Sequence, residues 1–410
     1  MKFKANIDRI MGDIVYITGG SVETNRPSYS IADAMTREFF LKAFEELDLS
    51  VSVDGAGNIR AAMAGREPGL TPVLAGSHID TVKKGGRFDG LVGTIGALEC
   101  VRVFKENDYI PRRGVEIIIF AEEEATNFGI TLLGSKLLTG AIKPKELKEI
   151  YSDDGESADS IIRQAGFDPS SFNKKLLERG EVYAMIETHI EQGPRLDKQG
   201  VSIGAVERIA GMETYRVVFK GVCGHAGTTA MADRHDPMLG AAEVILEMKK
   251  IAESAESGTA VATVGKITAR PGAANIIAGE VEFNVDIRDA YDMSITMMAG
   301  KLHMLVERIA DKYGLTAESV RIAKSPAVAL DREIVSMIQD VALELGVSCM
   351  RVNSGAVHDT GMMEAVTRAG MIFVPSIAGA SHCPEEETRE TDISNGVNVL
   401  IETVRRLAEE

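Results

Sequence analysis

The sequence predicts an α/β fold with a second, smaller α+β module inserted into it. Short apolar runs alternate with helical stretches over most of the chain, which is typical of a parallel sheet covered by helices on both faces. From about Gly211 the pattern changes to alternating apolar and polar residues, which is typical of antiparallel strands with one exposed face. The length of 410 residues agrees with this division, because it exceeds what one hydrophobic core usually serves.

The composition limits the classes of function. The chain is 45% hydrophobic and 26% charged, as in an ordinary globular protein. Its formal net charge of −16 argues against nucleic acid or an anionic membrane as a partner. We expect neither a secretory signal nor a membrane span, because residues 1–9 and the later apolar runs lack the required segments. Four scattered cysteines without a CxxC pair suit free thiols, so we expect a cytoplasmic protein.

The elements of the α/β part can be placed in chain order. A helix is predicted over Ile31–Leu47, where apolar residues recur at helical spacing. Its predicted apolar face consists of Ala32, Met35, Phe39, Ala43 and Leu47, widened by Phe40 and Phe44. Two short strands flank a turn at Asp54–Asn58. Four buried strands are predicted at Pro72–Ala75, Val115–Phe120, Val182–Ile186 and Met371–Val374.

The inserted module is predicted over residues 211–326. Its elements are a strand at Thr214–Phe219, a helix at Pro237–Ser254, strands at Ala260–Ala269 and Glu280–Arg288, a helix at Met293–Tyr313 and a strand at Ser319–Ala323. This β-α-β-β-α-β order is that of a ferredoxin-like sandwich. We therefore divide the chain into one domain of residues 1–210 and 327–410 and an inserted domain of residues 211–326.

Histidines and carboxylates follow each of the four buried strands. In chain order they are His78, Asp80 and Asp89, then Glu122, Glu123 and Glu124, then His189, and finally His382. In open α/β sheets, ligands bind in the crevice outside the carboxyl ends of the strands. We therefore expect these side chains to meet in one crevice.

Metal binding explains this distribution best. A lone histidine at a strand end is usually structural, and three successive glutamates usually form a solvated loop, but neither explanation covers all four strand ends together. Three imidazoles and at least two carboxylates suit zinc or another divalent transition ion. A carboxylate shared by two ions would let five side chains hold a pair and leave room for water. Two such ions would activate that water and polarise a carbonyl, so the pattern favours a metal-dependent hydrolase.

Five motifs resemble the carbamoylase branch of the M20 metallopeptidase family, and they follow the family's order. The motifs are His78-Ile79-Asp80, Gly86-Arg87-Phe88-Asp89-Gly90, Glu123-Glu124 before Phe128, His189-Ile190-Glu191-Gln192-Gly193 and Gly224-His225-Ala226-Gly227. The branch includes N-carbamoyl-L-amino acid hydrolases, allantoate amidohydrolases, β-ureidopropionases and ureidoglycolate amidohydrolases. The resemblance covers nearly the whole chain. It implies an aminopeptidase-like mixed-sheet catalytic domain with an inserted ferredoxin-like α+β lid and dimerisation domain.

The resemblance implies roles for residues of the catalytic domain. Two divalent ions per subunit (Zn, Mn, Co or Ni) would be bound by His78, Asp89, Glu124, His189 and His382, with Asp89 as the bridging ligand. Glu123 would be the general base that passes a proton from water to the leaving nitrogen. Asp80 would orient the imidazole of His78. Glu122 has no role in the family pattern, and a structural or solvated carboxylate is expected there.

The resemblance also implies residues that contact the substrate. His225 would donate to the developing oxyanion, either in its own subunit or in a neighbouring one. Arg288 would bind the substrate carboxylate, with Asn275 beside it. Gln192 would meet the polar end of the substrate, and Gly355 would line the carboxylate pocket.

One residue departs from the family pattern. Members of the family commonly carry an arginine before Phe128, whereas this chain has Asn127. The departure does not affect the metal ligands. It leaves open which ureido acid is the substrate.

Together these assignments predict hydrolysis of the carbamoyl C–N bond of an N-carbamoyl-L-amino acid or similar ureido acid, giving the amino acid, ammonia and CO2. Allantoate hydrolysis is the nearest alternative, because the same metals, base and clamp would serve. More distant alternatives are an aminopeptidase or dipeptidase, and a non-catalytic binding relative, which should have lost the ligands or the base. We expect a homodimer that acts on a small molecule.

Overall fold

The computed structural model describes residues 3–174 and 176–410, and the chain forms two compact units. Unit 1 extends to Glu207 and resumes over Leu330–Val352 and His358–Glu410. Unit 2 comprises Arg208–Ala329 and the short segment Asn353–Val357. Over these described ranges no helix combines the length and apolar character that a membrane crossing requires.

Helices and strands alternate along most of the chain. The helices are α1 (Ile7–Thr18), α2 (Ile31–Glu46), α3 (Leu91–Glu106), α4 (Leu133–Thr139), α5 (Ala158–Gln164), α6 (Arg195–Gln199), α7 (Pro237–Glu253), α8 (Asp292–Tyr313), α9 (Arg332–Glu344), α10 (Asp359–Met363) and α11 (Glu390–Glu409). The strands are β1 (Ser50–Val53), β2 (Ile59–Met63), β3 (Val73–His78), β4 (Val115–Phe120), β5 (Ala184–Ile190), β6 (Ile203–Ile209), β7 (Gly211–Lys220), β8 (Gly224–His225), β9 (Val261–Arg270), β10 (Ile276–Ile277), β11 (Glu280–Asp289), β12 (Thr316–Ser325), β13 (Val328–Ala329), β14 (Cys349–Ser354) and β15 (Arg368–Val374).

The centre of the sheet in unit 1 is parallel. Strands β4, β3, β5 and β15 lie side by side in that order and run in the same direction. Strands β2 and β1 extend the sheet beyond β4, and β6 pairs with β15, all in antiparallel pairings. The mixed α/β sheet predicted from the sequence is confirmed. Because the four central strands are parallel, the chain leaves all of them at the same edge.

Helices cover this sheet on two faces. Helix α3 is buried almost throughout and packs on β3 and β5, and α11 packs against α3 and β15. A second core joins Leu74 and Ile118 of the sheet to Leu133 and Leu137 of α4. The central strands therefore have apolar neighbours on both sides, which explains their nearly continuous apolar sequences.

Unit 2 has the predicted ferredoxin-like order. Its main elements follow as β7, α7, β9, β11, α8 and β12, and the antiparallel sheet has the strand order β12-β7-β11-β9. Alternate residues of β11 are buried, and Phe219 of β7 and Phe283 of β11 lie in one core with Val244 of α7 and Leu302 of α8. Both helices therefore cover the same face of the sheet.

Helix α2 lies where the sequence predicts it, but its predicted apolar face was wrong in part. Met35 is 67% exposed, whereas Phe40 and Phe44 are fully buried. Asp33 and Arg37 are buried with them, and Arg37 Nε lies 2.8 Å from Asp33 Oδ2. Because the two charges pair with each other, a polar stripe faces the interior, which the spacing of apolar residues does not reveal.

Candidate metal centre and active site

The ends of the four parallel strands bring the predicted ligands to one place. His78 is the last residue of β3, and Glu122–Glu124 follow the end of β4 after one residue, Ala121. His189 lies within β5, because that strand begins later and runs further than the predicted Val182–Ile186. His382 belongs to the loop after β15. These positions follow from the parallel arrangement of the strands.

His78, Asp89 and His189 form the first group of donor atoms. Asp89 Oδ1 lies 3.4 Å from His78 Nε2 and 3.1 Å from His189 Nε2, and the two Nε2 atoms are 3.4 Å apart. The Nδ1 atoms of His78 and His189 lie 3.0 and 2.9 Å from the backbone oxygens of Asp80 and Ile190. A carbonyl oxygen only accepts, so in each neutral ring Nδ1 carries the proton and Nε2 presents its lone pair. Two lone pairs and a carboxylate oxygen therefore converge, which suits a bound cation.

Asp89, Glu124 and His382 form the second group. His382 Nε2 lies 3.4 Å from Asp89 Oδ2 and 3.3 Å from Glu124 Oε2. Among the described residues, Glu124 Oε1 and Asp89 Oδ1 are buried and accept no hydrogen bond. In each of the two groups the donor atoms lie within 4.8 Å of one another. Imidazole and carboxylate donors at this spacing fit a divalent metal ion.

The titration behaviour of the cluster reflects its crowded negative charge. Burial opposes a charge on His78, but Glu123, Asp89 and Asp80 together raise its pKa well above the usual value. Burial and the neighbouring Asp89 raise the pKa of Glu124 to about 8, against the influence of the histidines. The protein therefore gathers more carboxylates than its own cations neutralise, and a metal ion would relieve the repulsion.

Glu123 lies beside the two groups that share Asp89, and its carboxylate forms a further set of donor atoms within 4.8 Å with His78 and Glu124. Its side chain is buried, and its Oε2 lies 4.0 Å from His78 Nε2. Burial raises its pKa well above the usual value, with a further contribution from Glu124. The buried Asp80 carboxylate accepts the backbone N–H groups of Glu123 and Glu124 at 3.2 and 3.1 Å. Asp80 thereby joins the end of β3 to the glutamate loop.

Glu122 is a buried structural carboxylate and is not solvated. Its two oxygens accept the backbone N–H of Asn127 at 2.8 Å and the Asn127 side-chain amide at 2.6 Å. The same amide also donates to the backbone oxygen of Ser28 at 2.8 Å. The residue that departs from the family pattern therefore shapes the loop after β4.

Gln192 also lies at the cluster. Its Nε2 donates to Asp89 Oδ2 at 2.7 Å and lies 3.2 Å from His382 Nε2. Gln192 and His382 both have φ near +57°, a left-handed conformation that is uncommon outside glycine and recurs at functional sites. Gly90, with φ +62°, packs closely against the ring of His78. A Cβ at this position would lie 2.5 Å from that ring, so only glycine fits.

Two supporting residues were missed from the sequence. Glu187 is a fully buried carboxylate in β5, and it accepts hydrogen bonds from Ser77 at 2.6 Å and from the hydroxyl of Thr360 at 2.5 Å. The sequence could have indicated its role, because a charged residue within an otherwise apolar parallel strand is unusual. Glu386, close to His382, is likewise buried. His358 packs edge-on against His189, with 4.7 Å between ring centroids.

In unit 2, His225 and Asn275 are neighbours. Strand β8 pairs with β10, and the N–H of Ala226 donates to the backbone oxygen of Asn275 at 3.1 Å. His225 Nδ1 accepts the N–H of Gly227 at 3.1 Å. The neutral ring therefore carries its proton on Nε2 and can donate it.

The other two predicted substrate residues also lie in unit 2. Arg288 is in β11, and its Nε donates to Asp286 Oδ1 at 2.7 Å. Gly355 lies in the Asn353–Val357 segment, which groups with unit 2 although the chain enters and leaves it from unit 1.

Known proteins with similar sequences are hydrolases, as the arrangement of the site suggests. Residues 74–406 match the family model described as Peptidase family M20/M25/M40. The chain is 35% identical over 407 residues to an N-carbamoyl-L-amino-acid amidohydrolase of Paenarthrobacter aurescens, covering 98% of both proteins. It is also 35% identical over 387 residues to a ureidoglycolate hydrolase of Oryza sativa subsp. japonica, covering 93% of this chain and 80% of that protein.

A solved structure has the same architecture over the whole chain. It is an amidase of the hydantoinase/carbamoylase family from Burkholderia multivorans, with a TM-score of 0.92 and 29% identity, covering 100% of both chains. Family match, curated relatives and fold agree with the motifs read from the sequence. The chain therefore belongs to the M20/M25/M40 peptidase family, in the amidohydrolase branch that its motifs predict.

Proposed function

We propose that this protein is a two-metal amidohydrolase that hydrolyses the carbamoyl C–N bond of an N-carbamoyl-L-amino acid or a similar ureido acid. The observation that carries the proposal is the pair of donor groups that share Asp89, with the buried Glu123 carboxylate beside them. The names of the relatives support the substrate class, since they act on N-carbamoyl-L-amino acids and ureidoglycolate.

Two divalent ions per subunit suit this arrangement. His78 and His189 would hold one ion, Glu124 and His382 the other, and Asp89 would bridge them. Bound there, the ions would polarise the substrate carbonyl and lower the pKa of a water molecule. Zn, Mn, Co and Ni are all compatible with imidazole and carboxylate ligands.

Glu123 would move the proton. It would take one from the attacking water and deliver it to the leaving nitrogen, so that one water converts the ureido acid into the amino acid, ammonia and CO2. Its burial supports this role, because a raised pKa brings a carboxylate closer to the working pH. Asp80 would hold both residues in place: its backbone oxygen accepts from Nδ1 of His78, and its carboxylate accepts the backbone N–H of Glu123.

The residues of unit 2 would bind the substrate and its developing charge. The Nε2–H of His225 would donate to the oxyanion, and its accepting Nδ1 supports that tautomer. Arg288 would bind the substrate carboxylate with the guanidinium nitrogens that Asp286 does not use, and Asn275 would lie alongside. Gln192 would contact the ureido end, and Gly355 would line the carboxylate pocket.

The first experiment is ammonia release from a substrate panel by metal-reconstituted protein. The panel contains several N-carbamoyl-L-amino acids, N-carbamoyl-β-alanine, allantoate and ureidoglycolate, with a dipeptide as control. Metal-dependent release from a ureido acid supports the proposal and identifies the substrate, including the allantoate alternative. Cleavage of the dipeptide alone would mean that the site is that of a peptidase.

Arg288→Ala tests the carboxylate clamp. We expect KM for the ureido acid to rise about tenfold or more, because a charged hydrogen-bonding pair contributes about 1.5–3 kcal/mol. Arg216→Ala is the control, since Arg216 projects from the same sheet face but pairs with Glu282 and Glu318. An unchanged KM in Arg288→Ala, or equal turnover of ureas without a carboxylate, would remove the clamp.

We further propose a homodimer that forms through unit 2. Among the described residues β9 is an edge strand, paired only with β11, and Val261 and Ile267 on it are 50% and 46% exposed. The adjacent α7 exposes Leu246 at 62%. Unpaired strand edges with apolar side chains are ready templates for pairing with a second copy. Leu246→Glu should shift the protein to monomer in light scattering, and Met304→Glu, on α8, is the exposed control.

We propose a cytoplasmic location. The four cysteines are free, which suits a reducing compartment.

A further inference from the structure

We infer that Glu386 is a positioning residue that fastens the shared ligand Asp89 to the loop carrying His382. The inference rests on the proposed two-metal function. Glu386 is 1% exposed and lies in the segment after His382, far along the chain from Asp89. It is neither a metal ligand in the proposal nor a group that would touch the substrate.

The carboxylate of Glu386 joins two loops through three hydrogen bonds. Its Oε1 accepts the backbone N–H of Phe88 at 2.8 Å and that of Asp89 at 3.1 Å. Its Oε2 lies 3.1 Å from the hydroxyl of Ser381, the residue before His382. That hydroxyl also lies 3.1 Å from Asp89 Oδ2. One buried side chain therefore fixes the backbone of Asp89 and the approach to His382.

The loop containing Asp89 is shaped around this carboxylate. A Cβ at Gly86 would lie 2.2 Å from the Glu386 carboxyl group, so any larger residue would displace it. Next to this contact, Arg87 pairs with Glu387 at 2.7 Å. The two loops therefore meet through adjacent polar contacts. Close packing against the Glu386 carboxyl group explains why the motif begins with glycine at position 86.

His382 needs such support more than the other two histidines. His78 and His189 are buried, and each bonds a backbone oxygen through Nδ1. The side chain of His382 is 46% exposed, and within the described residues its Nδ1 makes no such backbone bond. Its left-handed backbone, with φ +58°, must also be held by its surroundings. Through Ser381, Glu386 supplies a fixed point one residue away.

The test measures metal binding rather than activity alone. Residues that orient metal ligands typically change metal affinity by about 10–100-fold when they are removed. We expect Glu386→Ala to weaken the ion that Glu124 and His382 would hold by that factor. The ion of His78 and His189 should stay bound, because each of those rings has its own backbone hydrogen bond. Dialysis against a series of buffered zinc concentrations, followed by elemental analysis, should then give about one ion per chain where the wild type keeps two. Excess metal should restore much of kcat.

Three further variants separate positioning from general damage. Glu385→Ala, at the exposed neighbouring carboxylate, should bind metal like the wild type. Glu386→Gln should bind within a few-fold of the wild type, because its amide oxygen can accept both N–H groups while its NH2 faces Ser381. Glu386→Asp is one methylene shorter and cannot reach both loops, so its affinity should fall. This variant keeps the test open if the alanine variant does not fold.

The possible outcomes are distinct. Wild-type affinity for both ions in Glu386→Ala and Glu386→Asp overturns the inference, as does a glutamine variant that loses metal as strongly as alanine. If the wild type itself binds fewer than two ions, or hydrolyses no ureido acid, the proposed function fails instead. One weakened ion, rescued by glutamine, supports the positioning role.

Discussion

Glu122 and Glu123 are adjacent buried glutamates, but the same substitution should lower turnover at Glu123 and stability at Glu122. In Glu123→Gln, the shape of the side chain and the ligand Glu124 are preserved, but the amide cannot accept a proton. A positioned general base contributes about 10²–10⁴-fold to the rate. At about 1.4 kcal/mol for each factor of ten, the barrier should rise by about 3–5 kcal/mol. Metal content and the free energy of unfolding should stay close to those of the wild type.

Glu122→Gln should instead affect stability. Both oxygens of Glu122 accept hydrogen bonds from Asn127, so the introduced NH2 must face a donor. An unsatisfied buried polar group costs about 1–3 kcal/mol, which should appear in the free energy of unfolding. Turnover should change only a few-fold.

The assay combines kcat at saturating substrate and metal with denaturant unfolding of the metal-loaded protein. The reasoning is refuted if Glu123→Gln turns over at the wild-type rate. It is also refuted if the two variants lose turnover equally, because proximity to the cluster would then explain both. Elemental analysis of each variant excludes loss of metal as the cause.

Three other perturbations address stability. Arg37→Ala leaves Asp33 buried without its partner and should cost about 3–5 kcal/mol in chemical denaturation. Arg163→Ala, at an exposed pair of the same i,i+4 spacing, should change the unfolding free energy far less, and equal losses would contradict the burial argument. The hydrogen bond from Arg66 lowers the pKa of Glu409 from 4.5 to about 2, so this exposed pair stabilises the fold above about pH 4.5 and loses its contribution as the pH falls towards 2. Glu409→Gln should therefore flatten the stability curve over that interval, with an effect of about 0.2–1 kcal/mol at pH 7, and an unchanged acid limb would argue against the pair. Removal of metal by a chelator should lower the unfolding free energy by about 2.7 kcal/mol for each ion, relative to protein at a free metal concentration 100 times the Kd of that ion, and readdition should restore it.

Much of the fold could be predicted because it depends on local patterns. The apolar runs of β3, β4 and β15 and the helix α7 lie within a few residues of their predicted positions, and the ferredoxin-like order of unit 2 is confirmed. Strand β5 was predicted too early. Its polar residues Glu187 and His189 hide the later half of the strand from a reading of hydrophobicity, although both are buried.

The candidate site was predictable as a set of residues but not as a geometry. His78, Asp89, Glu124, His189 and His382 stand at strand ends or in motifs that the sequence displays, and the fold brings their donor atoms together. Their catalytic roles stay predictions. Nothing in the sequence indicates which ring nitrogen faces the cluster, because that depends on backbone oxygens positioned by the folded chain.

The sequence by itself determined the family, the fold class and the order in which acids and imidazoles leave the sheet, since periodicity and motif spacing are local properties. Three features were decided only by the tertiary structure. Glu122 accepts hydrogen bonds from Asn127 in the loop after β4, Asp33 and Arg37 form a buried ion pair, and Glu386 accepts the backbone N–H of Asp89. The physical reason is the same in each case. A polar group is buried only where a hydrogen-bond partner meets it, and the packing of the whole chain decides which groups are buried. The partner is four residues away for Asp33 and five for Glu122, but 297 residues away for Glu386.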